Sequence, residues 1–284
     1  MAGPPLPPGR HLQLPGRGRT FVREAGGPPG APALLLLHGW TVNADVNWFA
    51  SFAALARHFR VVAMDSRGHG RGLRSRRFRL DDCADDAAAL VDVLGLGPVV
   101  AVGYSMGGAL AQLLWRRHPE SVASLVLCST SRVFAEEAGE RRYFSALGAL
   151  ALVSRAAPAP VRRWAVHRLD RRPGDHCALD AWLADELHRN DWTAVLEAGA
   201  ALGGFDSRPW AGEIDVPTSV VVTTSDRSVL PRRQLALAES IPGATVHRVD
   251  GGHHSCVVDP EGFVPVLVEA CLAAAHPRPA PAPG

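Results

Sequence analysis

Short apolar runs alternate along this chain with segments of helical periodicity, and this alternation restricts its possible folds more than any other feature. Six runs of four or five residues, most of them apolar, are each followed by a polar turn; they occupy residues 33–37, 61–64, 99–102, 125–128, 219–223 and 245–249. Upstream, residues 11–14 and 20–23 are typical of antiparallel edge strands. Strands that alternate with helices build βα units. The sequence therefore predicts an α/β fold, a mostly parallel central sheet with helices on both faces.

Two helices in this pattern have recognisable ends. The first is expected to begin at Asp81 or Asp82, whose carboxylates can accept hydrogen bonds from the free amides of a first helical turn. Gly95 closes it, because glycine readily adopts the left-handed conformation that ends many helices. The second helix is expected over about residues 106–118.

The alternation is interrupted between residues 133 and 214, where about eighty residues show helical patterns but no βα units. The two ends of the chain are rich in proline, alanine and glycine, which is typical of disordered tails. These features predict tails at residues 1–10 and 277–284, an α/β core at residues 11–132 and 215–276, and a helical lid at residues 133–214.

The predicted lid contains several aromatic residues and candidate helix caps. The aromatic residues are Tyr143, Phe144, Trp164, Trp182, Trp192 and Trp210. In one interpretation these side chains form an apolar underside of the lid that faces a substrate. In the other they pack the lid onto the body. Both interpretations can hold, each for different aromatic residues of the set. The candidate N-caps are Asp175, Asn190 and Asp191.

Composition and charge argue against several classes of protein. Hydrophobic residues make up 47% and charged residues 20% of the 284 residues, and the formal net charge is +2, so neither nucleic acid nor an anionic membrane is expected as a partner. No apolar stretch approaches the length of a membrane span, and no secretion signal is visible at the N-terminus. A cytoplasmic location is the expectation.

The cysteines and histidines give no pattern for a metal site. The five cysteines stand singly; they are Cys83, Cys128, Cys177, Cys256 and Cys271. No C-x-x-C pair, H-E-x-x-H string or nucleotide-binding glycine pattern is present. We therefore expect reduced, mostly buried thiols, and neither a metal nor a cofactor.

Arginines are concentrated over residues 71–79. The members of this cluster are Arg71, Arg74, Arg76, Arg77 and Arg79. A functional interpretation is contact with an anion or phosphate near the site. The alternative, which we favour, is a solvated loop in a chain whose thirty basic residues are all arginine.

The strongest chemical signal is the string GYSMGG at residues 103–108, which lies between the run at 99–102 and the second helix. Glycines two residues before and after Ser105 allow a tight strand-turn-helix elbow that exposes the serine hydroxyl. In this geometry the backbone amide of Met106 points to an oxyanion near the helix N-terminus.

With this elbow the sequence resembles the α/β-hydrolase fold family, in its serine-nucleophile branch with a helical lid. The resemblance covers about residues 34–271 and extends to the string HGW at 38–40 and the string DSRGHGRG at 65–72. The second string departs from the family pattern at Gly72, where a serine is usual. The resemblance implies a second oxyanion donor in the backbone amide of Trp40.

Three other polar residues of these strings are expected to be structural rather than catalytic. They are His38, Asp65 and His69. Competing interpretations as metal ligands or bases exist for the last two, but nothing in their spacing favours a metal.

A nucleophilic serine needs a histidine base and a carboxylate that orients it. The resemblance implies the order serine, acid, histidine. Asp226 follows the run at 219–223 and is the candidate acid, with a turn or helix-cap role as the alternative. Two adjacent histidines follow the last run, and the family pattern of a glycine before the histidine and a proline seven residues after it selects His253, with Pro260, over His254.

The predicted triad of Ser105, Asp226 and His253 indicates a cofactor-free serine hydrolase. We expect it to cleave an ester or related acyl bond of a small apolar substrate through an acyl-enzyme. An acyltransferase, a C–C bond hydrolase or a perhydrolase would use the same triad. A non-catalytic ligand-binding protein would keep the fold, but the intact triad argues against it.

Overall fold

An eight-stranded sheet forms the centre of the computed structural model, which describes residues 3–158 and 178–276. The strands are β1 (Gly9–Leu14), β2 (Gly18–Ala25), β3 (Ala33–Leu37), β4 (Arg60–Met64), β5 (Val99–Tyr104), β6 (Val122–Cys128), β7 (Thr218–Thr223) and β8 (Thr245–Val249). Their order is β1-β2-β4-β3-β5-β6-β7-β8. β2 pairs antiparallel with β1 and β4, and the remaining pairs are parallel. The predicted mostly parallel sheet is confirmed.

Helices connect the strands and surround the sheet. Those described are α1 (Ala44–Trp48), α2 (Phe52–Leu55), α3 (Leu80–Leu94), α4 (Met106–Arg117), α5 (Ala138–Ala156), α6 (Ala178–His188), α7 (Trp192–Gly203), α8 (Pro231–Ser240), α9 (Ser255–Val258) and α10 (Pro260–Ala275). In the part of the chain that the structure describes, none of them is long and apolar enough to cross a membrane.

The side chains of β3 show how the core is divided between the two faces of the sheet. All five residues of this strand are buried. Leu35 and Leu37 belong to the apolar cluster that contains α3, α4 and α8 residues, whereas Leu34 and Leu36 belong to the cluster that contains α1, α2 and α10 residues. Because successive side chains of a strand point to opposite faces, helices cover both faces, as predicted.

The beginning of α3 differs from the prediction. Its N-cap is Arg79, so Asp81 and Asp82 lie inside the first turn and do not cap the helix. Carboxylates in a first turn still interact favourably with the positive end of the helix dipole. The predicted end of α3 is confirmed, since Gly95 is its C-cap and has a φ of 57°.

The predicted boundary of the N-terminal tail at residue 10 is wrong. Gly9 and Arg10 belong to β1, where Arg10 pairs with Val22 of β2. The Arg10 Nε atom donates a 3.0 Å hydrogen bond to Glu24. Leu6 packs against the apolar cluster on the α10 side of the sheet. The first residues of this edge strand, Gly9 and Arg10, are exposed. They therefore show no apolar periodicity in the sequence, although their backbones pair with β2.

α5, α6 and α7 occupy the insertion between β6 and β7 that was predicted as a lid at residues 133–214. An antiparallel bridge between Val133 and Asp206 joins the two ends of the insertion. The Ser154 and Thr193 hydroxyls lie 2.6 Å apart and connect α5 to α7.

Asp191 caps α7, because its side chain accepts hydrogen bonds from the amides of Thr193 and Ala194. The neighbouring Asn190 is not the cap, although the sequence made both residues candidates. Four of the predicted features lie outside the described residues: the tail at 277–284, Trp164, Asp175 and Cys177.

Candidate active site

The three predicted triad residues lie together at the carboxyl ends of β5, β7 and β8. Ser105 directly follows β5, Asp226 follows β7 and His253 follows β8. His253 Nε2 lies 3.0 Å from the Ser105 hydroxyl oxygen, and His253 Nδ1 lies 2.7 Å from Asp226 Oδ2. The side chains therefore form a continuous hydrogen-bonded chain from carboxylate to imidazole to hydroxyl.

The turn that carries Ser105 is strained and tightly packed. Ser105 has φ of 53° and ψ of −114°, a conformation that non-glycine residues adopt at a cost of about 1–3 kcal/mol. A Cβ atom on Gly107 would overlap the Leu37 carbonyl, and one on Gly103 would overlap the Gly107 carbonyl. Glycine is required at both positions because backbones approach each other closely there. Met106 begins α4, so its amide belongs to the helix end whose N–H groups lack intrahelical acceptors.

Asp226 is buried and accepts hydrogen bonds on both carboxylate oxygens. Oδ1 accepts from the amides of Ser228 and Val229 at 2.8 and 2.9 Å. Oδ2 accepts from the Thr223 hydroxyl at 2.9 Å and from Gln234 Nε2 at 3.1 Å. Neither Thr223 nor Gln234 was predicted from the sequence. Thr223 is the last residue of β7 and shows no pattern that sets it apart from the strand, and the contact of Gln234 depends on how α8 packs beside β7.

Burial alone would raise the pKa of Asp226. The hydrogen bond from His253 and the electrostatic interaction with that side chain, together with hydrogen bonds from backbone amides, outweigh this effect and bring the pKa of Asp226 below its ordinary value. Asp226 is therefore an ionised acceptor that holds the proton of His253 on Nδ1, which leaves Nε2 free to accept a proton from Ser105.

His253 is the histidine that connects Asp226 and Ser105, whereas the ring of the neighbouring His254 is exposed to solvent. The geometry agrees with the choice made from the sequence. The hydroxyl of Tyr104 also donates a 2.8 Å hydrogen bond to the His253 carbonyl.

The loop after β3 presents the second predicted oxyanion donor, the amide of Trp40. His38 Nε2 accepts a 2.9 Å hydrogen bond from the Ser66 amide, so His38 Nδ1 carries the proton and donates to the Gly39 carbonyl at 2.8 Å. This carbonyl and the Trp40 N–H belong to one trans peptide and point in opposite directions. The Gly39 amide donates to Asn47 at 2.8 Å. His38 thus has the structural role expected of it, and it orients this peptide.

Asp65 and His69 hold backbone groups in the loop after β4. Asp65 accepts hydrogen bonds from the amides of Ala44 and Arg71 at 2.9 and 2.8 Å, and burial raises its pKa to about 7. His69 Nδ1 lies 2.8 Å from the Arg67 carbonyl, and burial lowers the pKa of His69 to about 4. These contacts fit the structural interpretation of both residues.

Two arginines of the basic cluster are paired with groups of the protein itself. Arg71 lies between two buried carboxylates, at 3.2 Å from Asp45 and 2.7 Å from Glu186 of α6. Arg74 donates to backbone carbonyls that include that of Arg189, at 2.6 Å. These partners argue against contact with an external anion and attach the insertion to the body.

Among residues 3–158 and 178–276 there is no group of three or more histidine, cysteine, aspartate or glutamate side chains arranged to hold a metal ion. The described cysteines are all buried and free; they are Cys83, Cys128, Cys256 and Cys271. Burial raises the pKa of each of these thiols.

Comparison with known proteins decides the family. A model of the alpha/beta hydrolase fold matches residues 32–260, which is most of the chain. The chain belongs to the α/β-hydrolase fold family. The matched range of this α/β hydrolase contains the three predicted triad residues and both loops that are predicted to supply the oxyanion donors.

Relatives of this α/β hydrolase include two enzymes that match most of its length. A pimeloyl-acyl-carrier-protein methyl ester esterase of Chromobacterium violaceum is 29% identical over 245 residues, 84% of this chain and 93% of the relative. A poly(3-hydroxyalkanoate) depolymerase of Ectopseudomonas oleovorans is 28% identical over 287 residues, 92% of this chain and 93% of the relative. A solved structure of an esterase from Thermogutta terrifontis superimposes with a TM-score of 0.74 at 23% identity, covering 95% of this chain and all of that one; this likeness supports the fold alone.

Proposed function

We propose that this α/β hydrolase is a cofactor-free serine hydrolase that cleaves an ester or related acyl bond of a small apolar substrate. The observation that carries the proposal is the hydrogen-bonded chain from Asp226 through His253 to Ser105. A serine hydroxyl is a poor nucleophile unless a base removes its proton, and this chain supplies an oriented base.

In the proposed reaction, Ser105 Oγ attacks the acyl carbonyl carbon while His253 Nε2 takes the hydroxyl proton. The amides of Trp40 and Met106 donate hydrogen bonds to the oxyanion of the tetrahedral intermediate. His253 then gives its proton to the departing alcohol, and the acyl group remains on Ser105. In the second half-reaction, His253 takes a proton from a water molecule as that water attacks the acyl carbon. It then returns the proton to Ser105 Oγ as the acid is released. Asp226 stabilises the imidazolium in both half-reactions.

The names of the relatives favour ester bonds over other acyl bonds. The Chromobacterium relative is named a methyl ester esterase, and the Ectopseudomonas relative a poly(3-hydroxyalkanoate) depolymerase. We therefore propose carboxylic esters as the first substrates to test, ahead of thioesters and lactones.

We also propose that the insertion covers the site as a lid. The indole N–H of Trp40 donates a 2.7 Å hydrogen bond to the Val195 carbonyl of α7. Gly199 of the same helix lies directly against the Trp40 ring. α7 therefore packs beside the oxyanion loop, where it would present small apolar side chains to an acyl group.

Intact-mass labelling with a fluorophosphonate tests the nucleophile without knowledge of the substrate. We expect one adduct on the wild type, none on Ser105→Ala or His253→Ala, and an unchanged adduct on the matched control His254→Ala. An ester series of p-nitrophenol with increasing acyl length would then define the substrate. A folded wild type without an adduct would contradict the proposal and favour a ligand-binding protein.

A further inference from the structure

The loop that carries the Trp40 amide is held by the insertion as well as by the body. His38 and Asn47 fix it from the body, as described above. From the insertion, Val195 accepts the indole N–H of Trp40, and Asn190 Nδ2 donates a 2.7 Å hydrogen bond to the Thr41 carbonyl. The residue next to the proposed oxyanion donor is therefore bonded to a side chain from another part of the fold.

Thr41 has a backbone conformation that it would not adopt without support. Its φ is 68°, and a β-branched residue in this left-handed region is a steric outlier. Within the described residues, the other non-glycine residues with positive φ are Ser105 and Ser129, which follow β5 and β6. Such strain persists only where surrounding contacts determine the conformation, and it marks functional sites.

The orientation of the Asn190 side chain is fixed by both of its partners. Its Oδ1 accepts a 2.7 Å hydrogen bond from the Gly70 amide, while its Nδ2 donates to the Thr41 carbonyl. An amide N–H can only donate and a carbonyl can only accept, so the side-chain amide has one possible orientation. Asn190 is 8% exposed. It thus connects the loops after β3 and β4 through a buried bridge.

The backbone around Asn190 is anchored to the same body loop. The Asp191 amide donates to the Gly68 carbonyl at 2.8 Å, and Glu186 pairs with Arg71 at 2.7 Å. The Asn190 side chain is therefore presented to Thr41 from a fixed position.

We propose that Asn190 is a positioning residue for the oxyanion hole. Its hydrogen bond holds Thr41 in the left-handed conformation and thereby fixes the Trp40–Thr41 peptide. Trp40 is then held on its C-terminal side, so that its N–H, which belongs to the Gly39–Trp40 peptide, stays directed to the developing oxyanion. This inference rests on the proposed serine hydrolase function. Because the amide is needed most in the transition state, loss of the bond should lower kcat and leave KM nearly unchanged.

The test compares variants on p-nitrophenyl butyrate, with rates normalised to active sites titrated by the fluorophosphonate. Asn190→Ala should lower kcat by about 10- to 100-fold, because loss of an entire oxyanion donor costs about 10²- to 10³-fold. KM should change by less than about threefold. Asn190→Asp keeps the acceptor for Gly70 but loses the donor to Thr41, so its kcat should fall by a similar factor.

Two further variants separate positioning from a general loss of structure. Glycine adopts positive φ without strain. Adding Thr41→Gly to Asn190→Ala should therefore restore at least about a tenth of the kcat that Asn190→Ala loses. Ser154→Ala is the matched control, because it removes a partly buried hydrogen bond between α5 and α7 without altering the Thr41 contact. Its kcat should equal that of the wild type.

A trifluoromethyl ketone inhibitor gives a second readout, since its hemiketal oxyanion occupies the same hole. Its affinity should fall in Asn190→Ala and Asn190→Asp by a factor similar to the fall in kcat. If either folded variant keeps wild-type kcat and inhibitor affinity, the inference is overturned, and Asn190→Asp decides the question if the alanine variant does not fold. Absence of the fluorophosphonate adduct from the wild type would instead overturn the proposed function itself.

Discussion

The hydroxyl of Tyr104 and the backbone carbonyl of His253 are joined by a hydrogen bond of 2.8 Å. Tyr104 is the residue before Ser105, and its ring also packs edge-on against Trp48 and Phe263. The strand that carries the proposed nucleophile therefore also fixes the loop that carries the proposed base. The distance between Ser105 and His253 is therefore set by the buried side chain of Tyr104 as well as by the sheet.

Tyr104→Phe should weaken both the site and the fold. The His253 carbonyl would lose its partner, which lowers the free energy of unfolding by about 1–3 kcal/mol, and looser placement of the ring should lower kcat about three- to tenfold. Urea unfolding and ester hydrolysis measure the two effects. Tyr143→Phe is the matched control, because Tyr143 is the other tyrosine of the chain and is 54% exposed. Equal behaviour of the two variants would contradict this role of Tyr104.

Removal of Ser105 or of His253 should have effects that do not add. Each of Ser105→Ala and His253→Ala should lower kcat on the order of 10⁶-fold, and the double variant should be little worse than either, because the residues act as one unit. Steady-state hydrolysis of an activated ester checks this. Losses that multiply in the double variant would show that the two side chains act independently.

Gly107→Ala should prevent the tight elbow from forming. Its Cβ would overlap the backbone of Leu37, which cannot move without disturbing the centre of the sheet, so we expect the free energy of unfolding to fall by more than about 3 kcal/mol. Gly97→Ala is the control: Gly97 has φ of 67° but open space around it, so the cost should be only about 1–2 kcal/mol. Similar urea midpoints for the two variants would refute the packing argument.

Acid should destabilise the protein through its buried neutral histidines. Burial lowers the pKa of His69 to about 4 and that of His38 to about 3, both below the value of about 6.5 in an unfolded chain. The unfolded chain therefore binds protons first as the pH falls. The contribution of each neutral histidine to the free energy of unfolding is fully present above about pH 6.5. It decreases by about 1.4 kcal/mol per pH unit as the pH falls towards 4.

The variant His69→Asn keeps a donor for the Arg67 carbonyl but no longer titrates. Between about pH 6 and 4.5, its free energy of unfolding should lose about 1.4 kcal/mol less per pH unit than that of the wild type. Urea unfolding at a series of pH values measures both slopes. Parallel slopes would mean that His69 is protonated in the folded protein.

The central strands and the meeting of the three candidate triad residues could be predicted because their signals are local. β3 and β5 are buried on both faces, so each appears in the sequence as a continuous apolar run. Asp226 and His253 follow two further runs, and the carboxyl ends of parallel strands lie at one edge of the sheet. The ends of these strands therefore predicted which side chains would meet.

The residues that support the site could not be predicted in the same way. Gln234 reaches Asp226 from α8, and Asn190 reaches Thr41 across 149 positions of sequence. Neither contact follows from periodicity or from a motif, since each depends on how two elements pack. The sequence made Asn190 a candidate helix cap, but its neighbour Asp191 caps α7.

The bonds between the insertion and the loops after β3 and β4 also limit how this protein can be recombined with its relatives. A chimaera that exchanges only the insertion would place foreign side chains against Thr41 and Gly70, and against Arg71 where Glu186 now lies. Such a hybrid could fold and still turn over slowly. The loops after β3 and β4 should therefore be exchanged together with the insertion, as one unit.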